Sequence, residues 1–102
     1  MTNRSSSIGP ASVVVRAKDV ISCELDGETA MLNIRSGIYY GLDEVGAAIW
    51  RKVSQSCVVR EIVRDITAQY EVDPPQCQSD VVRLLNELAD NGLLEIDDGS
   101  AG

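Results

Sequence analysis

Two dipeptides, Asp26-Gly27 and Ser36-Gly37, divide the first half of this chain into short runs of strand-forming residues. Glycine reaches the positive φ that tight hairpin turns demand, so Asp-Gly between β-rich runs is a strong hairpin signal. Val20 to Leu25 precedes the first turn. Glu28 to Arg35 follows it and alternates, with Ala30, Leu32 and Ile34 on one face and Thr29, Met31, Asn33 and Arg35 on the other. Ile38 to Leu42 follows the second turn, with Ile38, Tyr40 and Leu42 on one face and Tyr39 on the other. Two consecutive hairpins predict a three-stranded antiparallel meander.

Beyond Leu42 the apolar period lengthens to that of a helix. Asp43 is a good N-cap for a helix over 43–54, marked by Val45, Ile49 and Val53. A second helix opens near Ser56 and carries the stripe Val59, Ile62, Val63, Ile66 and Tyr70. Pro74 and Pro75 suit the first turn of a third helix, whose apolar face holds Cys77, Val81, Leu84, Leu85 and Leu88. Asn91-Gly92 stops it, and Leu93 to Ile96 is a short extended exit. The order β-β-β-α-α-α predicts an α+β fold. The proline-containing turn between the last two helices makes it winged helix-turn-helix-like, with the meander as wing. Residues 1–13, rich in Ser, Asn, Gly and Pro, are expected to form a disordered N-terminal tail, 14–96 the domain, and 97–102 a flexible C-terminal tail.

Several function classes are disfavoured. The chain has 102 residues, room for one core, and a net charge of −7, which opposes binding to phosphate backbones. The third helix carries one basic residue, Arg83, against Asp80, Glu87 and Asp90, so a winged-helix DNA-binding regulator is the weaker alternative. There is no histidine, hence no Ser-His or Cys-His nucleophile pair and none of the commonest metal ligand. The near pairs Asp43/Glu44, Glu61/Asp65 and Asp97/Asp98 fall at a helix cap, on a helix surface and in a tail, so no enzyme is expected. Ser79-Asp80 has the reverse order of a carrier protein's attachment site. No cofactor is implied. Cys23, Cys57 and Cys77 form neither a disulfide framework nor a metal motif and are expected to be small buried side chains in a reducing compartment. No signal peptide and no membrane span are visible, and a cytoplasmic location is the expectation.

The third strand, Ile-Tyr-Tyr-Gly-Leu at 38–42, is the informative element. As the last strand of a meander it lies at an edge, yet it has none of the proline, lysine or inward charge that blocks edges. Such an edge is covered by the protein itself, pairs with a second copy as a weak homodimer, or receives another chain as an added strand. On the third helix the apolar arc extends through Val82 and Ala89, beside Gln78 and Asn86, while the opposite flank bears Asp80 and Glu87. Were the apolar flank to face the edge strand, the two would form a groove for a peptide.

The run MLNIRSGIYYGLDEVGAAIW, residues 31–50, resembles the PqqD-like family of recognition elements for ribosomally made, post-translationally modified precursor peptides. Leu-Asp-Glu-Val-Gly-Ala-Ala-Ile-Trp at 42–50 is close to that family's Leu-Asn-x-x-(Ala/Gly)-x-x-Ile-Trp, with Asp43 where Asn is frequent. The later helical stripe, the proline break and Gly92-Leu93-Leu94 also agree, so the resemblance spans about residues 15–96. It implies a winged helix of three strands and three helices that binds a leader peptide antiparallel to the third strand and against the third helix. The tyrosine-bearing third strand looks most like the stand-alone proteins of lasso-peptide pathways, which imply a separate leader peptidase and an ATP-dependent cyclase as partners. A branch serving radical SAM enzymes is the alternative. The candidate peptide-binding residues are Arg35, Ile38, Tyr39, Tyr40 and Leu42 on the sheet and Val82, Leu85, Asn86 and Ala89 on the helix.

Overall fold

The structure is a computed structural model that describes residues 8–97. Six strands and three helices follow in the order β1 (Val13–Arg16), β2 (Val20–Leu25), β3 (Glu28–Asn33), β4 (Tyr39–Leu42), α1 (Glu44–Lys52), β5 (Cys57–Val58), α2 (Val59–Tyr70), α3 (Pro74–Asp90) and β6 (Leu94–Ile96). The expected α+β, winged-helix-like plan is present, with β2-β3-β4 as the antiparallel wing. Among the described residues no helix is long and apolar enough to cross a membrane.

The first hairpin turns through Asp26 and Gly27, both at positive φ (54° and 83°). The second turn is longer than the two residues its Ser-Gly signal suggested. Asn33 ends β3, its side-chain Oδ1 accepts the N–H groups of Arg35 (2.9 Å) and Ser36 (3.1 Å), and Tyr39 opens β4. The side-chain acceptor offers those amides an alternative to the ladder, so Ile34, Arg35 and Ile38 leave the strands.

A second sheet, in the order β5-β1-β6, was not expected. Val13 pairs with Val58, and Val14 lies between Cys57 and Ile96, fully buried. Residues 8–13, assigned from composition to the tail, are therefore part of the fold. Ile8 is buried in the core, and the carbonyls of Pro10 and Ser12 accept the N–H groups of Arg60 and Val59, both at 2.9 Å. Those two bonds cap α2, whose N-cap Val58 has no side chain able to do so. Asp97 is likewise held: its N–H donates to Val13 and its carboxylate accepts from Ser56 Oγ. The remaining tail expectations, for residues 1–7 and 98–102, fall outside the described residues.

α1 starts at Asp43, whose Oδ1 accepts the Gly46 N–H at 2.9 Å. Trp50 on α1 is 1% exposed; Arg16 stacks on its ring at 4.5 Å and donates to its carbonyl. Burial holds the Arg16 pKa below its ordinary value, partly offset by the charge of Glu24. α2 and α3 close the core with Ile62, Ile66, Val81, Leu85 and Leu88.

The wing turns its more polar face inward. Thr29, Met31 and Asn33 are buried, whereas Ile34 and its same-face neighbours across the sheet, Ile21, Leu25 and Tyr39, are exposed. Cys23 lies on that outer face as a free, exposed thiol, contrary to the expectation that all three cysteines are buried. Cys77 is buried, and burial pushes the half-buried Cys57 thiol up, which keeps it protonated at neutral pH. A maleimide reagent at neutral pH is expected to label Cys23 in the native protein and Cys77 only after unfolding. Peptide mass mapping checks this, and early labelling of Cys77 would contradict the burial described.

Candidate functional site

β4 has one neighbour, β3, in the register Thr29↔Leu42, Ala30↔Gly41, Met31↔Tyr40 and Leu32↔Tyr39. Its other edge meets no strand among the described residues. The Asn33 N–H donates to the Ile38 carbonyl at 2.9 Å, which directs Ile38 toward β3. Backbone groups in an antiparallel strand alternate sides, so Tyr40 and Leu42 also bond to β3. Tyr39 and Gly41 then direct their N–H and C=O groups outward, as two donors and two acceptors on an open edge.

Beside that edge lies an apolar cavity of about 640 Å³. Tyr40, Gly41 and Leu42 form one wall; Val45 and Ile49 of α1, Ile66 and Tyr70 of α2, and Cys77, Val81 and Leu84 of α3 form the rest. Asp43, Gln76, Asp80 and Arg83 are its polar lining, with Arg83 paired to Asp80 at 3.2 Å. β4 and α3 barely touch along this gap. Among the described residues one side-chain hydrogen bond crosses it: the Tyr40 hydroxyl donates to the Glu87 carboxylate. Burial first, then the hydrogen bond to Glu87 and its negative charge, push the Tyr40 pKa up to about 12.

The folded state therefore holds the Tyr40 proton more tightly than an unfolded chain, where a tyrosine titrates near 10. The sign follows directly: this contribution to stability is complete below pH 10 and is lost as pH rises through about 12. A phenolate titration at 295 nm is expected to show a tyrosine ionising near pH 12 that Tyr40→Phe removes. In Glu87→Gln that step should move down without returning fully to 10, because burial remains. An unchanged midpoint in Glu87→Gln would contradict the bond.

The predicted site residues fall in three places. Tyr40 and Leu42 line the cavity, and Tyr39 sits on the open edge with its ring exposed on the outer face. Ile38 and Arg35 lie in the turn, half-buried and exposed respectively, with Arg35 at 3.5 Å from Asp19 in a surface pair of little energetic weight. The helix residues do not line this cavity. Leu85 is fully buried in the core. Val82, Asn86 and Ala89 share the other flank of α3, partly buried, where Ile8 meets Asn86: the Ile8 N–H donates to Asn86 Oδ1 (3.4 Å), and Asn86 Nδ2 donates to the Ile8 carbonyl (3.5 Å). The groove instead uses the flank read as charged, with Asp80, Arg83, Leu84 and Glu87. A helical wheel identifies the two flanks but not which of them meets a given strand. Val45, Ile49 and Tyr70 were missed because they are indistinguishable from ordinary core positions in sequence.

Residues 28–94 match the profile of the family described as coenzyme PQQ synthesis protein D (PqqD). No curated protein matches the chain. Among solved structures, TbiB1 in complex with the TbiA(beta) leader peptide is 37% identical, covers 79% of this chain and 94% of its own, and superposes with a TM-score of 0.74. A lasso peptide synthetase B1 complexed with the leader peptide is 22% identical over 80% of this chain and 96% of its own, with a TM-score of 0.72. The PqqD truncation of Methylobacterium extorquens PqqCD, described as a stand-alone recognition element, is 19% identical over 89% and 97%, with a TM-score of 0.74. At their level of identity these last two establish the shared fold.

Proposed function

The chain belongs to the PqqD family, and from that premise we propose that it captures the leader segment of a ribosomally made precursor peptide by strand addition to β4. The observation that carries this is the outward-facing backbone of Tyr39 and Gly41 beside an apolar cavity. Backbone bonds supply affinity for an extended segment of any sequence, and pockets for alternate side chains supply selectivity. In an antiparallel arrangement the peptide's earlier residues lie over the cavity at Leu42, and its later ones pass Tyr40 and Glu87 toward the turn. TbiB1, 37% identical, was solved with a leader peptide, which supports the same ligand class here.

The captured substrate is then presented to enzymes on other chains; holding it on a short tether raises its effective concentration to the order of millimolar without chemistry by this protein. The tyrosine-bearing β4 favours a lasso-peptide setting, with a leader peptidase and an ATP-dependent cyclase as the enzymes served. The DNA-binding alternative is disfavoured by the charge of −7 and by an α3 whose lone cation, Arg83, is paired with Asp80.

A calorimetric titration with the leader of the precursor encoded beside this chain is expected to show one site. Amide hydrogen exchange should then slow at Tyr39 and Gly41. Protection confined to other elements, or no binding by any neighbouring leader, would end the proposal. Reconstitution with a peptidase and cyclase, against a radical SAM enzyme, separates the two settings by which one accelerates when this chain is added.

A further inference from the structure

We infer that Asn33 is a positioning residue that sets the width of the groove between β4 and α3; the inference rests on the peptide-binding reading of that groove. Asn33 is 8% exposed, an unusual place for an amide unless its groups are satisfied. They are satisfied by two different parts of the fold. Oδ1 accepts the Arg35 and Ser36 amides at 2.9 and 3.1 Å and so shapes the turn that leads into β4. Nδ2 donates to the Gly92 carbonyl at 2.8 Å, across 59 positions of sequence, at the end of α3. Its own N–H and C=O bond to Ile38 and Gly37, which locks the base of the turn. A single side chain thus joins the turn that leads into the edge strand to the residue just past the C-cap of the facing helix.

Gly92 fits that role from the other side. It adopts φ +74°, and a Cβ there would stand 3.0 Å from Asn33 Nδ2. Glycine at this position allows both the helix-ending conformation and the close approach of the amide.

The tie bears on recognition because an added strand has two spacing demands at once. Its backbone must lie about 4.8 Å from β4, and its inward side chains must reach the flank of α3. Among the described residues, the other bond from the wing to α3 is Tyr40 to Glu87, between a half-buried tyrosine and an exposed carboxylate. Without the Asn33 tie the turn end of the hairpin loses its anchor at the end of α3, so pairing with β4 no longer delivers side chains squarely into the cavity.

Asn33→Asp keeps the acceptor for the turn amides and removes the donor to Gly92. Gly92→Ala leaves Asn33 in place, crowds its Nδ2 and strains the helix end that carries the acceptor carbonyl, so it disturbs the same contact without altering the turn. Each variant is titrated, at a temperature where circular dichroism shows it folded, with the leader peptide and with the same peptide cut to alanine at its apolar residues. Both variants should weaken the intact leader about tenfold, the order of one apolar side chain losing its burial in the cavity, and the alanine peptide much less, with Tyr39 and Gly41 still protected. A purely structural role would weaken both peptides by the same factor. That result, or wild-type affinity for the leader in both variants, overturns the inference alone. A wild type that binds no leader overturns the peptide reading as well.

Discussion

Tyr39→Pro is expected to weaken leader binding at least about a hundredfold while leaving the domain folded. The substitution removes one of the two outward N–H donors, strands a carbonyl of the captured peptide, and places the proline ring where the incoming backbone must lie. The wing survives because Tyr39 makes no ladder bond to β3 in the register set by Asn33 and Ile38. Tyr40→Pro has the opposite character. Its N–H faces Met31, so the change breaks the β3–β4 ladder, removes the hydroxyl that reaches Glu87, and destabilises the hairpin itself. Calorimetry and thermal melts on the pair separate these effects. Wild-type binding by Tyr39→Pro would defeat strand addition; an unfolded Tyr39→Pro beside a well-folded Tyr40→Pro would show that the outward groups belong to the other residue.

Trp50→Ala carries the largest expected loss of stability. The ring is 1% exposed and has the Arg16 guanidinium 4.5 Å from its centroid. Truncating a buried aromatic of this size costs about 3–5 kcal/mol, against a total of roughly 5–15 kcal/mol for a small domain. Arg16 would keep its bonds to the carbonyl of residue 50, but its apolar stem and charged face would border a cavity. With a urea slope of about 1–3 kcal/mol/M, the unfolding midpoint should fall by more than 1 M or the transition should disappear. A shift below about 0.5 M in urea would mean that the site collapses around the missing ring far better than buried aromatic sites usually do.

The hairpins and helices were readable because their signals are local. Asp26-Gly27 supplies a turn within two residues, Asp43 caps α1 with its own side chain, and Pro74 fits the first turn of α3. The second sheet has no such signal. Val13–Arg16 is four residues long, and its partners Val58 and Leu94 come much later in the chain. Its strands are paired across long separations of sequence, where no local pattern signals the partner, so composition near residue 10 reads as tail.

Period and propensity determined which residues share a face: Thr29 with Met31 and Asn33, and Val82 with Asn86 and Ala89. They could not determine which side each face would take, since an alternating pattern is unchanged when the strand is turned over. Tertiary packing decided both cases. Asn33 found acceptor and donor partners inside the fold, which made a polar residue the better one to bury and left Ile34 outside. Ile8, 78 positions from Asn86, settled on the apolar flank of α3 and left the opposite flank facing the open edge of β4. A side chain's face is set by its neighbours in sequence, but what that face meets is set by hydrogen bonds and burial among residues far apart in the chain.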